Sequence, residues 1–168
     1  MTVADLGCGV GFYTFPLVEA VGPTGQVLAL DIEPSAIEAV QARAEDLHRG
    51  ALHNLQARLT TPDDPGLEPA SVDMVLMAHL DILMAEALQP ETEQMMQRLA
   101  LSLTPGGTLV VLQWYRPGAR VDLVVNNVQR YGLSYETLHE LHYPYVEPNT
   151  ATAQDHTSFM MIFRKPPG

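Results

Sequence analysis

Three glycines at alternate positions, Gly7, Gly9 and Gly11, directly follow an apolar stretch near the start of the chain. A strand that ends in such a loop and continues into a helix presents backbone N–H groups to a ligand, and glycine lets that ligand approach closely. Two acidic residues stand beside the loop: Asp5 precedes the first glycine, and Asp31 ends the next apolar stretch. The pattern predicts a ligand-binding loop of a kind that dinucleotide enzymes also have.

A second group of reactive side chains follows the fourth predicted strand. His79 and Asp81 stand there, at the edge of the sheet where parallel α/β proteins bind their ligands. Imidazole titrates near neutral pH and suits a general base. We predict His79 as the base if the reacting group must lose a proton, with Asp81 as the second candidate. The alternative is a hydrogen-bonded histidine at a strand end, without chemistry.

The elements that position these residues alternate between strand and helix, which is typical of a parallel sheet covered by helices. Strands are predicted at Thr2–Leu6, Gln26–Asp31, Asn54–Leu59, Val72–Ala78, Thr108–Trp114, Leu133–Leu141 and Thr157–Arg164. Helices are predicted at Tyr13–Val21, from the N-cap Ser35 to about His48, at Glu91–Leu103 and at Val121–Tyr131, with a tight turn at Pro105–Gly107. The connection Pro144–Ala153 is too short for a crossover helix, so the last two strands should be antiparallel.

Composition limits the function classes. The chain has 168 residues, which favours one domain, and a formal net charge of −11, which repels a phosphate backbone and argues against nucleic acid. Cys8 is the single cysteine, and His139–His142 lacks the spacing of a metal motif. The sequence has no apolar run of membrane-spanning length and no signal-peptide pattern. We therefore predict a cytoplasmic protein with no metal and no membrane partner.

Three segments together indicate a family: Asp5–Thr14, Val27–Asp31 and Leu103–Leu109. In this order they resemble class I S-adenosylmethionine (SAM)-dependent methyltransferases, in the branch of the quinone-biosynthesis and arsenite enzymes. The resemblance implies a Rossmann-like three-layer α/β sandwich with a mostly parallel seven-stranded sheet and an antiparallel last strand.

The same resemblance implies which residues bind SAM. Gly7, Gly9 and Gly11 would wrap its amino-acid part, and Asp31 would hold the ribose hydroxyls. Asp5 would contact the loop or the amino group, the alternative being a solvated strand end. Ile32 would pack on the adenine, the alternative being a residue of the core. The other expected cofactor contacts are Cys8, Tyr13, Thr61 and Ala78.

We therefore predict methyl transfer from SAM to a small-molecule acceptor, producing S-adenosylhomocysteine. One alternative is a SAM-binding, methyltransferase-like subunit with little or no activity on its own. A second is an NAD-dependent dehydrogenase, against which the glycine spacing and the Pro-Gly-Gly turn argue. Residues 1–168 are expected to form a single domain without the family's usual N-terminal helical segment. The short N-terminus is expected to leave an apolar surface or an open cofactor cleft, which a second copy of the chain would cover as a homodimer.

Overall fold

A seven-stranded sheet forms the centre of the protein, for which a computed structural model describes residues 1–48, 53–115, 119–146 and 153–168. The strand order is β3-β2-β1-β4-β5-β7-β6. The strands are β1 (Thr2–Leu6), β2 (Gln26–Asp31), β3 (Leu55–Leu59), β4 (Val72–Ala78), β5 (Leu103–Trp114), β6 (Ser134–Val146) and β7 (Ala153–Arg164). β7 pairs antiparallel with both of its neighbours, and the pairs among β1–β5 are parallel. The predicted fold class is confirmed.

The helices lie on the two faces of this sheet. They are α1 (Thr14–Val21), α2 (Pro34–His48), α3 (Pro90–Ser102) and α4 (Val121–Gln129), and a one-turn 3-10 helix spans Asp81–Leu83. Contacts place α1 and α2 over β1, β2 and β3, whereas α3 packs on β5 and α4 on β6. The connection from β3 to β4 is a helix-free loop, and the structure describes all of it.

Side chains alternate between the two faces of the central strands, as the pleat requires. Val75, Met77, Leu109 and Val111 point into the larger core, where they meet α3 and α4. The intervening residues Leu76, Ala78, Val110 and Leu112 point to the other face and pack with Tyr13, Leu17, Leu141 and Met160. The sheet is therefore apolar on both faces. Open α/β sheets bind ligands at the carboxyl ends of their strands, so we expect the site there.

The predicted start of α2 is wrong. Ser35 is not the N-cap but lies within the helix, which begins at Pro34, two residues earlier than an N-cap at Ser35 implies. Proline suits the first helical position because the N–H that it lacks would have no partner there. The shift leaves Glu33 beside the end of β2, where its N–H donates to Asp31.

The predicted bounds of α1, α3 and α4 differ from the observed ones by one or two residues. The larger differences, at the start of β5 and in the hairpin of β6 and β7, have their cause in strand pairing. The Pro105–Gly107 turn lies within β5, whose pairing with β4 jumps from Leu103 to Thr108, so the turn forms an irregularity in a longer strand. β6 and β7 extend beyond the predicted Leu141 and Thr157 because they pair with each other as far as Val146 and Ala153. The middle of the predicted connection, residues 147–152, lies outside the described residues.

Candidate active site

The glycine loop joins β1 to α1 at the carboxyl edge of the sheet. The N–H groups of Gly7 and Cys8 both donate to the carbonyl of Leu30 in β2, at 2.8 and 3.0 Å, which fixes the loop on the sheet. Gly7, Gly9 and Gly11 have φ angles of +76°, +52° and +85°, a region that residues with a Cβ rarely adopt. The loop conformation therefore requires glycine at all three positions.

The three glycines differ in what surrounds them. A Cβ on Gly7 would lie 2.7 Å from the Leu80 side chain, and one on Gly11 would lie 2.6 Å from the Phe15 ring. A Cβ on Gly9 would meet no protein atom within 4 Å. Gly7 and Gly11 allow close packing within the protein, and Gly7 also lines the cavity described below. Gly9 faces open space in which a ligand can approach the backbone.

Asp31 ends β2 opposite this loop. Its Oδ2 accepts a hydrogen bond from the Gly9 N–H at 2.8 Å, and its Oδ1 accepts one from the Glu33 N–H at 3.0 Å. Each carboxylate oxygen has a further lone pair for a ligand hydroxyl. The two backbone donors thus hold the carboxylate in one orientation at the mouth of the site.

A cavity of about 360 Å³ opens between the ends of β1, β2 and β3, within the usual size range of small-ligand sites. Gly7, Asp31, Ile32, Thr61, Leu80 and Ile82 are among the residues that line it. Ile32 is 49% exposed and Ile82 is 41% exposed, so both offer apolar surface to a ligand. The cavity combines a fixed carboxylate with apolar walls.

The segment after β4, which supplies Leu80 and Ile82, is anchored from two elements. The buried Gln113 of β5 donates its side-chain amide to the Leu80 carbonyl. The buried Asn127 of α4 donates to the carbonyls of Leu83 and Ala85 at 3.0 and 2.9 Å. These bonds fix one wall of the cavity.

Asp5 lies in β1 beneath the loop and is 1% exposed. Its Oδ2 accepts a 2.6 Å hydrogen bond from the Thr14 hydroxyl at the start of α1. Burial raises the pKa of Asp5 to about 6, the Thr14 bond partly offsets this, and the nearby Asp31 carboxylate adds to the increase. Asp5 thus joins the loop's two flanking elements rather than lining the cavity.

Two other predicted cofactor contacts lie in the protein core. Cys8 is 6% exposed, and burial together with Asp5 and Asp31 raises the pKa of its thiol to about 12, so the thiol stays protonated. Ala78 is 8% exposed and packs with Leu76 and Leu112. Neither side chain lines the cavity described above, whereas Thr61 does and also donates to Asp63.

His79 follows β4 in a left-handed backbone conformation, with a φ of +58°. Such an angle is uncommon outside glycine, although histidine is among the residues that adopt it more readily. The imidazole Nε2 lies 3.0 Å from the Tyr13 hydroxyl, and the ring stacks on Trp114 with centroids 4.4 Å apart. Tyr13, predicted as a cofactor contact, is therefore paired with the predicted base.

Asp81, the second candidate base, begins the 3-10 helix and is exposed. Its backbone carbonyl accepts the N–H of Met84. His79, by contrast, lies against the end of the glycine loop, through its 3.0 Å contact with the Tyr13 hydroxyl.

Several residues of the site were missed in the sequence. Leu80 and Asn127 belong to no motif, and their roles depend on contacts with elements distant in sequence. Thr14 ends the first family segment, but its bond to Asp5 was not predicted. One signal was available for Thr14, since a buried hydroxyl at a helix start suits the buried acid that precedes the loop. No comparable signal marks Asn127.

Residues 4–109 match the family model of a methyltransferase domain. The match spans more than half of the chain, and the chain belongs to this methyltransferase family. SAM, the cofactor expected from the sequence, is the methyl donor of this family. The resemblance seen in the sequence is confirmed.

Among the relatives are aklanonic acid methyltransferase DauC of Streptomyces sp. strain C5 and demethylmenaquinone methyltransferase of Lactococcus lactis subsp. lactis strain IL1403. The first is 37% identical over 86 residues, which are 51% of this chain and 38% of that protein. The second is 27% identical over 118 residues, which are 70% of this chain and 43% of that protein. The chain thus spans less than half the length of these curated relatives.

A SAM-dependent methyltransferase from Methanosarcina mazei has the same fold, with a TM-score of 0.73 at 14% sequence identity. The superposition covers 99% of this chain and 93% of that chain. At this identity the likeness concerns the fold alone.

The residues present fit SAM. Gly9 leaves space that a side chain would fill, Asp31 presents a fixed carboxylate, and Ile32 adds an apolar wall. In the part of the chain that the structure describes, no group of three or more His, Cys, Asp or Glu side chains could hold a metal ion. The described helices also include none with the length and apolar character needed to cross a membrane.

Proposed function

We propose that this chain transfers the methyl group of SAM to a small-molecule acceptor and leaves S-adenosylhomocysteine. The observation that carries the proposal is the junction of Asp31 and Gly9: a carboxylate oriented by the loop N–H, beside a cavity of about 360 Å³. His79 and Tyr13 stand at the same edge of the sheet. A cofactor held by the loop would therefore lie next to a group able to accept a proton.

In this proposal Asp31 accepts hydrogen bonds from the ribose hydroxyls, and the open backbone at Gly9 receives the amino-acid part of SAM. Ile32 and Leu80 supply apolar contact for the adenine, with Thr61 at its edge. Asp5 acts through Thr14 and the loop. The acidic field of the chain, −11 in formal charge, favours a cationic ligand.

SAM supplies a methyl group that is already activated by its positive sulfur, so the protein's tasks are to orient the acceptor and remove its proton. Orientation alone contributes roughly 7–11 kcal/mol in well-arranged systems. His79 is the proposed base, because imidazole matches neutral pH and its ring is fixed by Tyr13 and Trp114. Asp81 is the second candidate.

Three observations support a small, largely apolar acceptor. Phe12 and Tyr115, which follow β1 and β5, are 68% and 54% exposed and place aromatic surface at the carboxyl edge. The relatives named above are named for methylating aklanonic acid and demethylmenaquinone, which are small molecules. The net charge of −11 opposes a nucleic acid acceptor.

Calorimetric titration and a turnover assay test the proposal. SAM and S-adenosylhomocysteine should both bind, and NADH should not. Methyl-labelled SAM is then incubated with simple phenols, carboxylic acids, thiols and enolisable diketones, and the label should appear in at least one methylated product together with S-adenosylhomocysteine. Binding without any turnover would favour the SAM-binding subunit instead, and absence of SAM binding would overturn both.

A further inference from the structure

The imidazole of His79 is enclosed in a way that limits how it can act as a base. Its Nε2 lies 3.0 Å from the Tyr13 hydroxyl, and its Nδ1 is buried. One face of the ring stacks on Trp114 at an interplanar angle of 29°. An acceptor molecule therefore cannot reach either nitrogen without displacing Tyr13 or entering the protein interior.

We propose that the Tyr13 hydroxyl is the group that contacts the acceptor and that it passes a proton to His79. The inference rests on the proposed function. The acceptor's proton moves to the Tyr13 oxygen as the Tyr13 proton moves to Nε2 of His79. The tyrosine ends as a neutral phenol and the histidine ends as an imidazolium. The acceptor atom keeps the electron pair that would bond to the methyl carbon, and the electron pair of the broken methyl–sulfur bond would stay on sulfur in S-adenosylhomocysteine.

A phenol hydroxyl suits this position because it accepts one hydrogen bond while it donates another. A phenol alone would be a poor base at neutral pH. The ordinary pKa of a tyrosine hydroxyl is about 10, whereas that of imidazole is about 6.5, so imidazole is the group suited to keep the proton. Transfer through Tyr13 combines the reach of the phenol with the basicity of His79.

The chain also places Tyr13 on the cofactor side. Tyr13 stands two residues after Gly11 and immediately before α1, so the segment that is proposed to hold SAM also holds the phenol. His79 directly follows β4, the strand that neighbours β1, and has a left-handed backbone. Its ring is held by stacking on Trp114. Cofactor and proton acceptor are thus linked through one loop.

The first test concerns the hydrogen bond itself and needs no acceptor. Nitrogen-15 spectra of histidine-labelled protein report which imidazole nitrogen carries the proton. If Tyr13 donates, the neutral His79 has its proton on Nδ1, and Tyr13→Phe changes this signal. Tyr135→Phe is the matched control. It removes a phenol hydroxyl near the start of β6 and keeps the ring contact with Phe163, so it should leave the His79 signal unchanged.

A proton on Nε2 in the wild-type protein, or a His79 signal that Tyr13→Phe does not change, would overturn the proposal. These outcomes do not depend on methyl transfer. A protein that methylates none of the probe acceptors would contradict the proposed function, and the spectra would still decide the direction of the hydrogen bond.

The second test is kinetic and uses the probe acceptor with the highest turnover. Tyr13→Phe and His79→Asn should each lower turnover by about 10²–10⁴-fold, the range for loss of a general base. Asparagine is chosen because it tolerates the left-handed backbone. The double variant should be no slower than the slower single variant, because both residues serve one transfer. If Tyr13→Phe keeps its activity while His79→Asn loses it, His79 acts directly and the proposal is wrong.

Discussion

Asp31 uses both carboxylate oxygens within the protein, one on the Gly9 N–H and one on the Glu33 N–H. This arrangement orients the group before any ligand arrives, so a ribose would meet a preorganised acceptor. Asp31→Ala should weaken SAM binding by about 1.5–3 kcal/mol, the range for hydrogen bonds to a charged group. Calorimetric titration measures the change, and Asp46→Ala, at an exposed acid of α2, is the control. Unchanged affinity in a folded Asp31→Ala protein would show that another residue holds the ribose.

Asp5 is buried with a pKa of about 6, above its ordinary value near 3.8. The folded protein therefore binds this proton more tightly than the unfolded chain, and the contribution of Asp5 to stability is present at low pH and lost as the pH rises through about 6. Asp5→Asn keeps an acceptor for Thr14 and removes the charge. It should raise the free energy of unfolding by up to about 3 kcal/mol above pH 7, with a gain that shrinks toward pH 4.

Urea unfolding of the wild type and of Asp5→Asn at several pH values between 4 and 8 tests this prediction. Asp46→Asn, in which the charge removed is exposed, should show no such pH-dependent gain. A gain that is the same at pH 4 and pH 8 would mean that the substitution acts through packing and not through the carboxyl proton.

At the scale of the element, two glycines distinguish the effect of backbone conformation on stability from the effect of a side chain on ligand binding. Gly9 and Gly132 both have positive φ and open space at the Cβ position, but Gly132 lies in the turn between α4 and β6, remote from the cavity. Alanine at either position should cost about 1–2 kcal/mol of stability through the left-handed backbone. Only Gly9→Ala should also weaken SAM binding, by at least tenfold, as calorimetry would measure. Equal SAM affinity in the two variants would place the ligand away from Gly9.

The central strands β1 and β2 could be predicted closely because the apolar run of β1 stops at Gly7 and that of β2 lies between Gly25 and Asp31. β1, β2 and β4 have the predicted bounds. The hairpin of β6 and β7 could not be delimited, because its length depends on pairing between the two strands and not on either segment alone. The start of α2 was misplaced by two residues because Ser35, after Pro34, resembles an N-cap in sequence.

The candidate site also has one part that the sequence predicted and one part that it did not. The loop glycines and Asp31 stand at one edge as their spacing predicted, since the ends of neighbouring parallel strands meet there. The pairing of Tyr13 with His79 depends on a strand and a loop that are far apart in sequence. No spacing rule connects them, and the sequence accordingly suggested a cofactor contact for Tyr13 and a separate base in His79.

At the scale of the whole molecule, the two faces of the sheet are covered unequally. α3 and α4 pack over β5 and β6 on one face. On the other face, α1 and α2 lie over β1–β3, and α1 reaches β4 through Leu17. Within the described residues, the outer part of that face is formed by strand residues that include the half-buried Val110, Leu141 and Met160. Partly exposed apolar residues on one sheet face suit contact with another chain or segment.

We expect a second copy of the 168-residue chain to cover this face and form a homodimer. A stable interface of this kind buries roughly 1,200–2,000 Å² in total, and an acid at its centre would place an unpaired charge in apolar surroundings. Met160→Glu should therefore convert the dimer to a monomer in sedimentation velocity at micromolar concentration. Leu101→Glu is the control. It places the same charge at a 61%-exposed position of α3, which covers the other face of the sheet, and it should leave the protein dimeric. A monomeric wild type at about 50 μM, or a Met160→Glu protein that remains dimeric, would contradict the prediction and leave the face available to a different partner.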